Sequence, residues 1–175
     1  VNVFTQHPRE SNIGKTDTEN RVRFKEWKDF RLFTVATESK KAEQLIESCK
    51  RQDLHLEMLG VGEKWQGGVM ADGQGGGRKV HYLRSRLRNV EEHDIVMFVD
   101  GYDVIINDTQ EELIYRFKQF GADVVFGAEP LLWPDTSIEN QFPEVHTRNR
   151  FLNSGMFIGR AKVLKEMLRT DINKA

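Results

Sequence analysis

The sequence is short of cysteine, of long apolar runs and of net charge, and each shortage removes a class of protein. Cys49 is the only cysteine, so no disulfide can close within the chain. It follows Ile46 at helical spacing and reads as a small buried or half-buried side chain. No stretch approaches the ~20 consecutive apolar residues that cross a bilayer, so no transmembrane segment is expected. Lys and Arg total 26 against 27 Asp and Glu, a net charge of −1, which argues against nucleic acid or a membrane surface as a partner gathered by bulk charge. Arg84, Arg86 and Arg88 form a local basic run, read as the solvated face of a helix. Several catalytic signatures are also missing. Cys49 has no adjacent histidine, Ser154 is not in a G-x-S-x-G elbow, and the five histidines show no H-E-x-x-H spacing. No signal peptide is visible and the chain does not begin with Met, so it reads as a mature or partial chain whose start does not reveal its compartment.

What is present suits one domain of ordinary size: 175 residues, 38% hydrophobic and 30% charged. Residues 1–30 are polar and lack periodicity, and read as a flexible N-terminal segment. Domain-like patterning occupies 31–175. Leu32–Thr37 is a β-branched and aromatic run, a buried strand. A helix follows over about 41–51, with Ala42, Leu45, Ile46 and Cys49 on one face, then a strand over 55–59. This β-α-β unit favours a parallel sheet. Residues 60–77 hold eight of the fourteen glycines and read as a loop. Further elements are a helix over about 78–90 with Val80, Leu83 and Leu87 inward, a strand over 94–100, and a helix capped by Thr109. Beyond these come a strand over 123–127, a long loop over 128–150, a short strand over 155–159 and a helix over 161–168.

The chemistry centres on Asp100-Gly101-Tyr102-Asp103, at the end of the most apolar strand. In an open parallel sheet, ligands gather at the carboxyl ends of strands. Two hard carboxylates there suit Mg²⁺ or Mn²⁺, with phosphate oxygens and water completing the shell. Equally, Asp100 caps the next segment and Asp103 is merely solvated. Tyr102 either packs beneath the turn or offers a flat surface to a base. Val35 and Thr37 end the first strand at the same edge and line a nucleoside pocket, unless Thr37 is only a cap. The glycine-rich approach to Arg78-Lys79 opens a helix, where N–H groups and Lys79 suit a diphosphate. Val80 replaces the Ser or Thr of a Walker A loop, and no G-x-G-x-x-G follows the first strand. Asn153 and Ser154 enter the last strand, either as turn residues or as partners of a sugar's hydroxyls. Trp133, beside Pro134, is a sugar platform, a lid or a buried anchor.

Five segments taken in order resemble one family. They are Thr34–Thr37, Gly60–Trp65, Gly75–Val80, Met97–Val104 and Phe151–Gly159, and they are similar to the N-terminal glycosyltransferase domain of the procollagen-lysine 2-oxoglutarate 5-dioxygenases, over residues 31–169. The resemblance implies an α/β, GT-A-like (Rossmann-like) nucleotide-sugar-binding fold with a mostly parallel sheet, of which these residues are the N-terminal part. It implies transfer of galactose or glucose from UDP-galactose or UDP-glucose to hydroxylysine or galactosylhydroxylysine in collagen. By the same resemblance, Asp100 and Asp103 are Mn²⁺ ligands, Tyr102 stacks on uracil, Val35 and Thr37 contact the nucleoside, and Lys79 contacts the diphosphate. Trp133 and Asn153 then lie near the sugar. The family works in the endoplasmic reticulum lumen, and a homodimer through the parent protein is compatible with it. The family pattern continues beyond Ala175 with an acidic run, a histidine that completes the metal shell, and the hydroxylase domain. Two other readings of the same residues are a non-catalytic accessory module of a lysyl hydroxylase and, with less support, a metal-dependent phosphohydrolase.

Overall fold

The computed structural model describes residues 30–64, 76–133 and 135–169. Residues 1–29, the glycine-rich stretch 65–75 and Pro134 lie outside that description. So does most of the segment read as flexible, although Phe30 itself already begins the first strand.

The chain alternates strands and helices: β1 (Phe30–Val35), a 3-10 turn (Ser39–Ala42), α1 (Glu43–Arg51), β2 (Leu56–Leu59), α2 (Gly76–Leu87), β3 (Ile95–Val99), α3 (Gln110–Gln119), β4 (Val124–Glu129), a second 3-10 turn (Thr136–Gln141), β5 (Phe151–Arg160) and α4 (Ala161–Met167). The five strands form one sheet in the order β2-β1-β3-β5-β4. β1 runs parallel to both β2 and β3, while β5 runs antiparallel to both β3 and β4. Four strands therefore point the same way, and the mostly parallel sheet expected from the sequence is present.

Helices cover both faces, which explains the unbroken apolar runs in the inner strands. Every residue of β3 is buried. Successive side chains along a strand point to opposite faces. Thus Phe33, Val96, Phe98 and Phe157 join Leu83 and Leu87 of α2 and Leu164 of α4 in one core. Leu32, Met97 and Val99 join Leu45 and Cys49 of α1 in the other. Across three strands the rings of Phe98, Phe157 and Phe126 lie side by side, with centroids 5.2 and 5.0 Å apart. Cys49 is buried in the second core, as its helical spacing foretold, and burial pushes its thiol pKa up.

Polar pins fix the ends of these elements. Asp94, buried just before β3, accepts from Arg31 Nε at 3.2 Å, and its carbonyl accepts from Ala161 N–H at 2.9 Å, tying the start of α4 to the start of β3. Thr109 caps α3 by accepting from Glu112 N–H, as its sequence position indicates. Arg86 is not part of a solvated basic face: it donates to Glu57 of β2 through Nε and, at 2.9 Å, through a second nitrogen, and lies 5.4 Å from the Phe33 ring. Helical periodicity alone could not show that a strand carboxylate would face it.

Two boundaries differ from the sequence reading. α2 begins at Gly76 rather than Arg78, and Lys79 lies in its first turn on either boundary. β5 begins at Phe151 rather than Gly155, because Phe151, Leu152 and Asn153 pair with Glu129, Ala128 and Gly127 across a register shift between Phe126 and Gly127. Asn153 and Ser154 are strand residues at an irregularity, not loop residues leading into a strand.

Gly159 shows how tightly β5 and β4 are joined: a Cβ there would fall 2.7 Å from Val124 Cγ2 and 2.9 Å from the Asp123 carbonyl oxygen. We predict that Gly159→Ala lowers unfolding free energy by about 1–3 kcal/mol through overpacking. Urea melts of the two proteins test this, and an unchanged midpoint would mean that the strands separate freely there.

Candidate functional site

The parallel strands β1, β2, β3 and β4 deliver their carboxyl ends to one edge, and β5 enters from that edge. Residues far apart in sequence meet there. The ladder between β3 and β5 continues one residue past Val99, with Asp100 N–H donating to the Gly155 carbonyl at 2.7 Å. The backbone of Asp100 is thereby fixed while its side chain remains about 43% exposed.

Gly101 is buried against the end of β1. A Cβ at this position would lie 3.1 Å from Ala36 Cβ, 3.1 Å from Thr34 Oγ1 and 3.2 Å from the Val35 carbonyl oxygen. The glycine between the two acids therefore lets the turn sit directly on β1, beside the residues expected to face a nucleoside. Thr34 is fully buried, and among the described residues its hydroxyl has no hydrogen-bond partner. Beyond the turn, the buried hydroxyl of Ser48 in α1 accepts from Ile106 N–H at 3.0 Å and donates to the Leu45 carbonyl at 2.7 Å. The acidic turn is anchored before, beneath and after its carboxylates.

Lys79 reaches the same turn from α2. Its Nζ donates to Asp100 Oδ1 at 2.9 Å and approaches the Ser154 carbonyl at 3.5 Å. It also sits 5.4 Å from the centre of the Phe98 ring. The other oxygen, Asp100 Oδ2, packs over Gly155, where a Cβ would intrude to 2.7 Å. An ion pair whose carboxylate is this exposed contributes about 1 kcal/mol or less to stability, so the pair can be exchanged for another partner without loss of the fold.

The remaining expected residues divide by environment. Tyr102 and Trp133 both carry exposed rings, 47% and 51%, which excludes packing beneath the turn for the first and burial as an anchor for the second. Asp103 is exposed. Val35 closes β1, half-buried, and Thr37 follows it with its carbonyl accepting from Gly62 N–H at 3.0 Å. Asn153 turns its side-chain oxygen inward to accept from Gly155 N–H at 2.7 Å, so its amide nitrogen is the end left for a ligand. Asp100, Lys79 and residues 153–155 are in direct contact. Among the described residues, no three His, Cys, Asp or Glu side chains gather closely enough to hold a metal ion. The donor set of the described chain is thus two carboxylates at most.

Sequence reasoning missed the Lys79–Asp100 pair, the Ser48 anchor and the cluster at the end of β2. In that cluster Tyr82 donates to Glu63, and Arg78 lies 3.6 Å from Glu63 and 4.8 Å from the centre of the Tyr82 ring. Gly60, at φ +83, would bring a Cβ to within 3.2 Å of the same ring. The only advance signal was the positive-φ demand of the glycines.

A mostly parallel sheet covered on both faces, with two carboxylates at its carboxyl edge, has the architecture of a GT-A, Rossmann-like glycosyltransferase domain. The chain belongs to the PLOD GT domain family, whose model matches residues 26–174. It is 44% identical over 140 residues to procollagen-lysine,2-oxoglutarate 5-dioxygenase of Drosophila melanogaster, an overlap of 77% of this chain and 19% of that protein. It is 39% identical over 141 residues to the multifunctional procollagen lysine hydroxylase and glycosyltransferase LH3 of Homo sapiens (79% and 19%). The corresponding Caenorhabditis elegans protein is 38% identical over 143 residues (79% and 20%). The chain spans about a fifth of the length of these relatives.

If Asn153 shapes the seat of Asp100, Asn153→Ala should lower stability by about 1–2 kcal/mol, because it strands a part-buried N–H. Asn153→Asp, which keeps the acceptor, should lose less. Urea melts of both variants provide the measurement; equal and negligible losses would mean that the side chain turns to solvent instead.

Proposed function

We propose that this chain is the donor-binding part of a transferase that moves galactose or glucose from a UDP-sugar to collagen hydroxylysine or galactosylhydroxylysine, within a procollagen lysyl hydroxylase of the endoplasmic reticulum lumen. The single observation that carries the reading is the Asp100–Asp103 turn, fixed at the carboxyl end of β3 by Gly155 and met there by Lys79. Membership of the PLOD GT domain family and the collagen-modifying names of its relatives support this reading of donor and acceptor.

The roles follow from position and chemistry. Val35 and Thr37, at the end of β1, flank the nucleoside, and the exposed ring of Tyr102 stacks on the base. Asp100 and Asp103 hold Mn²⁺; two carboxylates suit this role because such an ion is commonly bound by one or two acids plus phosphate oxygens and water. When bound, the ion supplies Lewis-acid neutralisation of the charge that develops on the departing diphosphate. Lys79 adds a positive charge from the first turn of α2. Trp133, exposed beyond the end of β4, provides an apolar face for the sugar, and the amide nitrogen of Asn153 donates to one of its hydroxyls. The acceptor approaches from the solvent side of the same edge.

The accessory-module reading keeps one supporting observation: Asp100 already has a countercharge in Lys79. Titration calorimetry separates the two. On the transferase reading, UDP binds the wild-type chain in the presence of Mn²⁺ and about ten-fold or more weakly without it, and Asp100→Ala and Asp103→Ala each abolish that metal dependence. Equal, metal-independent affinity in all three proteins would remove the metal role and leave the module.

A further inference from the structure

In a site expected to take both a cation and a diphosphate, Asp100 has one oxygen engaged by Lys79 Nζ at 2.9 Å and the other pressed over Gly155. The carboxylate is about 43% exposed, so a cation that reaches it meets the ammonium already paired with Oδ1. Lys79 is held in this position by more than the ion pair. Its side chain is only 16% exposed, its Nζ also approaches the Ser154 carbonyl, and its charge lies over the Phe98 ring. Its neighbour Arg78 is committed elsewhere, to Tyr82 and Glu63.

We infer that Lys79 is an internal placeholder for the divalent cation: the metal competes with Lys79 Nζ for Asp100, and the released ammonium becomes the ligand of the diphosphate. The inference rests on the metal reading of Asp100 given above and goes beyond it by coupling the two ligands through one side chain. A divalent ion outcompetes an ammonium for a carboxylate at similar distance because the attraction scales with charge. Once displaced, Lys79 is repelled by the bound cation, and an arriving diphosphate relieves that repulsion. Metal alone then binds weakly, nucleotide alone binds weakly, and each strengthens the other, as linkage requires.

Lys79 thus opposes one ligand and helps the other, so one substitution must have effects of opposite sign. Mn²⁺ binding to the chain is followed by electron paramagnetic resonance of the free ion, and UDP binding by calorimetry at saturating Mn²⁺. Lys79→Gln should bind Mn²⁺ alone about three-fold or more tightly than wild type, yet bind UDP about ten-fold more weakly. Lys79→Arg, which keeps the charge, should retain the weak Mn²⁺ binding of wild type. Arg78→Gln removes an equal charge one residue away that does not touch Asp100, and should leave Mn²⁺ affinity within about two-fold of wild type. Unchanged or weaker Mn²⁺ binding in Lys79→Gln overturns the placeholder while leaving the metal site standing. An equal gain in Arg78→Gln overturns it too, since the effect would then belong to the general field. Failure of every protein to bind Mn²⁺ removes the metal reading itself and the placeholder with it.

Discussion

The hydrogen bond from Asp100 N–H to the Gly155 carbonyl is the constraint on which the site depends. It extends the pairing of β3 with β5 one residue beyond the strand proper, so the backbone of the first acid belongs to the sheet and its carboxylate stands at the rim, paired with Lys79. The next residue must then turn within a space already filled by Thr34, Val35 and Ala36, which a side chain cannot share. The strand beneath is buried on both faces at every position, so the turn cannot relieve crowding by shifting the sheet. A sheet that holds a charged group in place at its rim is what a binding site needs: the geometry is prepaid by the core, and little ordering remains when a ligand arrives.

Much of this was legible in the sequence because it is local. The apolar run Ile95–Val99 ending in an acid, the amphipathic pattern of Leu45 and Cys49, and the capping position of Thr109 each carry their signal within one element. The ends of β1 and β3, where Val35, Thr37, Asp100, Tyr102 and Asp103 were expected, followed from strand polarity once the β-α-β unit was recognised. What was not legible is what depends on pairing between distant segments. Residues 151–153 look like a loop in isolation, because Asn153 and Ser154 are turn formers; they become a strand because β4 lies beside them across a register shift. Arg86 looks solvated on a helical wheel, but a strand glutamate faces it. The partner of Lys79 is twenty-one residues away, on an element whose direction relative to α2 no periodicity reveals.

The antiparallel strand β5 explains why fold and site are hard to separate in this chain. A wholly parallel sheet would line its carboxyl edge with strand ends alone. Here one strand enters from that edge, and its first residues serve at once as ladder, as bulge and as floor for the Asp100 carboxylate. Asn153 illustrates the consequence. Its oxygen closes a local hydrogen bond to Gly155 N–H, and that bond shapes the surface on which Asp100 Oδ2 rests. A change at Asn153 therefore reaches the carboxylate through the backbone even if the residue never touches a sugar, and a loss of transfer on substituting it would not by itself identify a donor contact. The residues whose effects can be read as binding alone are those with little structural employment: the exposed Asp103 and the exposed Tyr102 and Trp133.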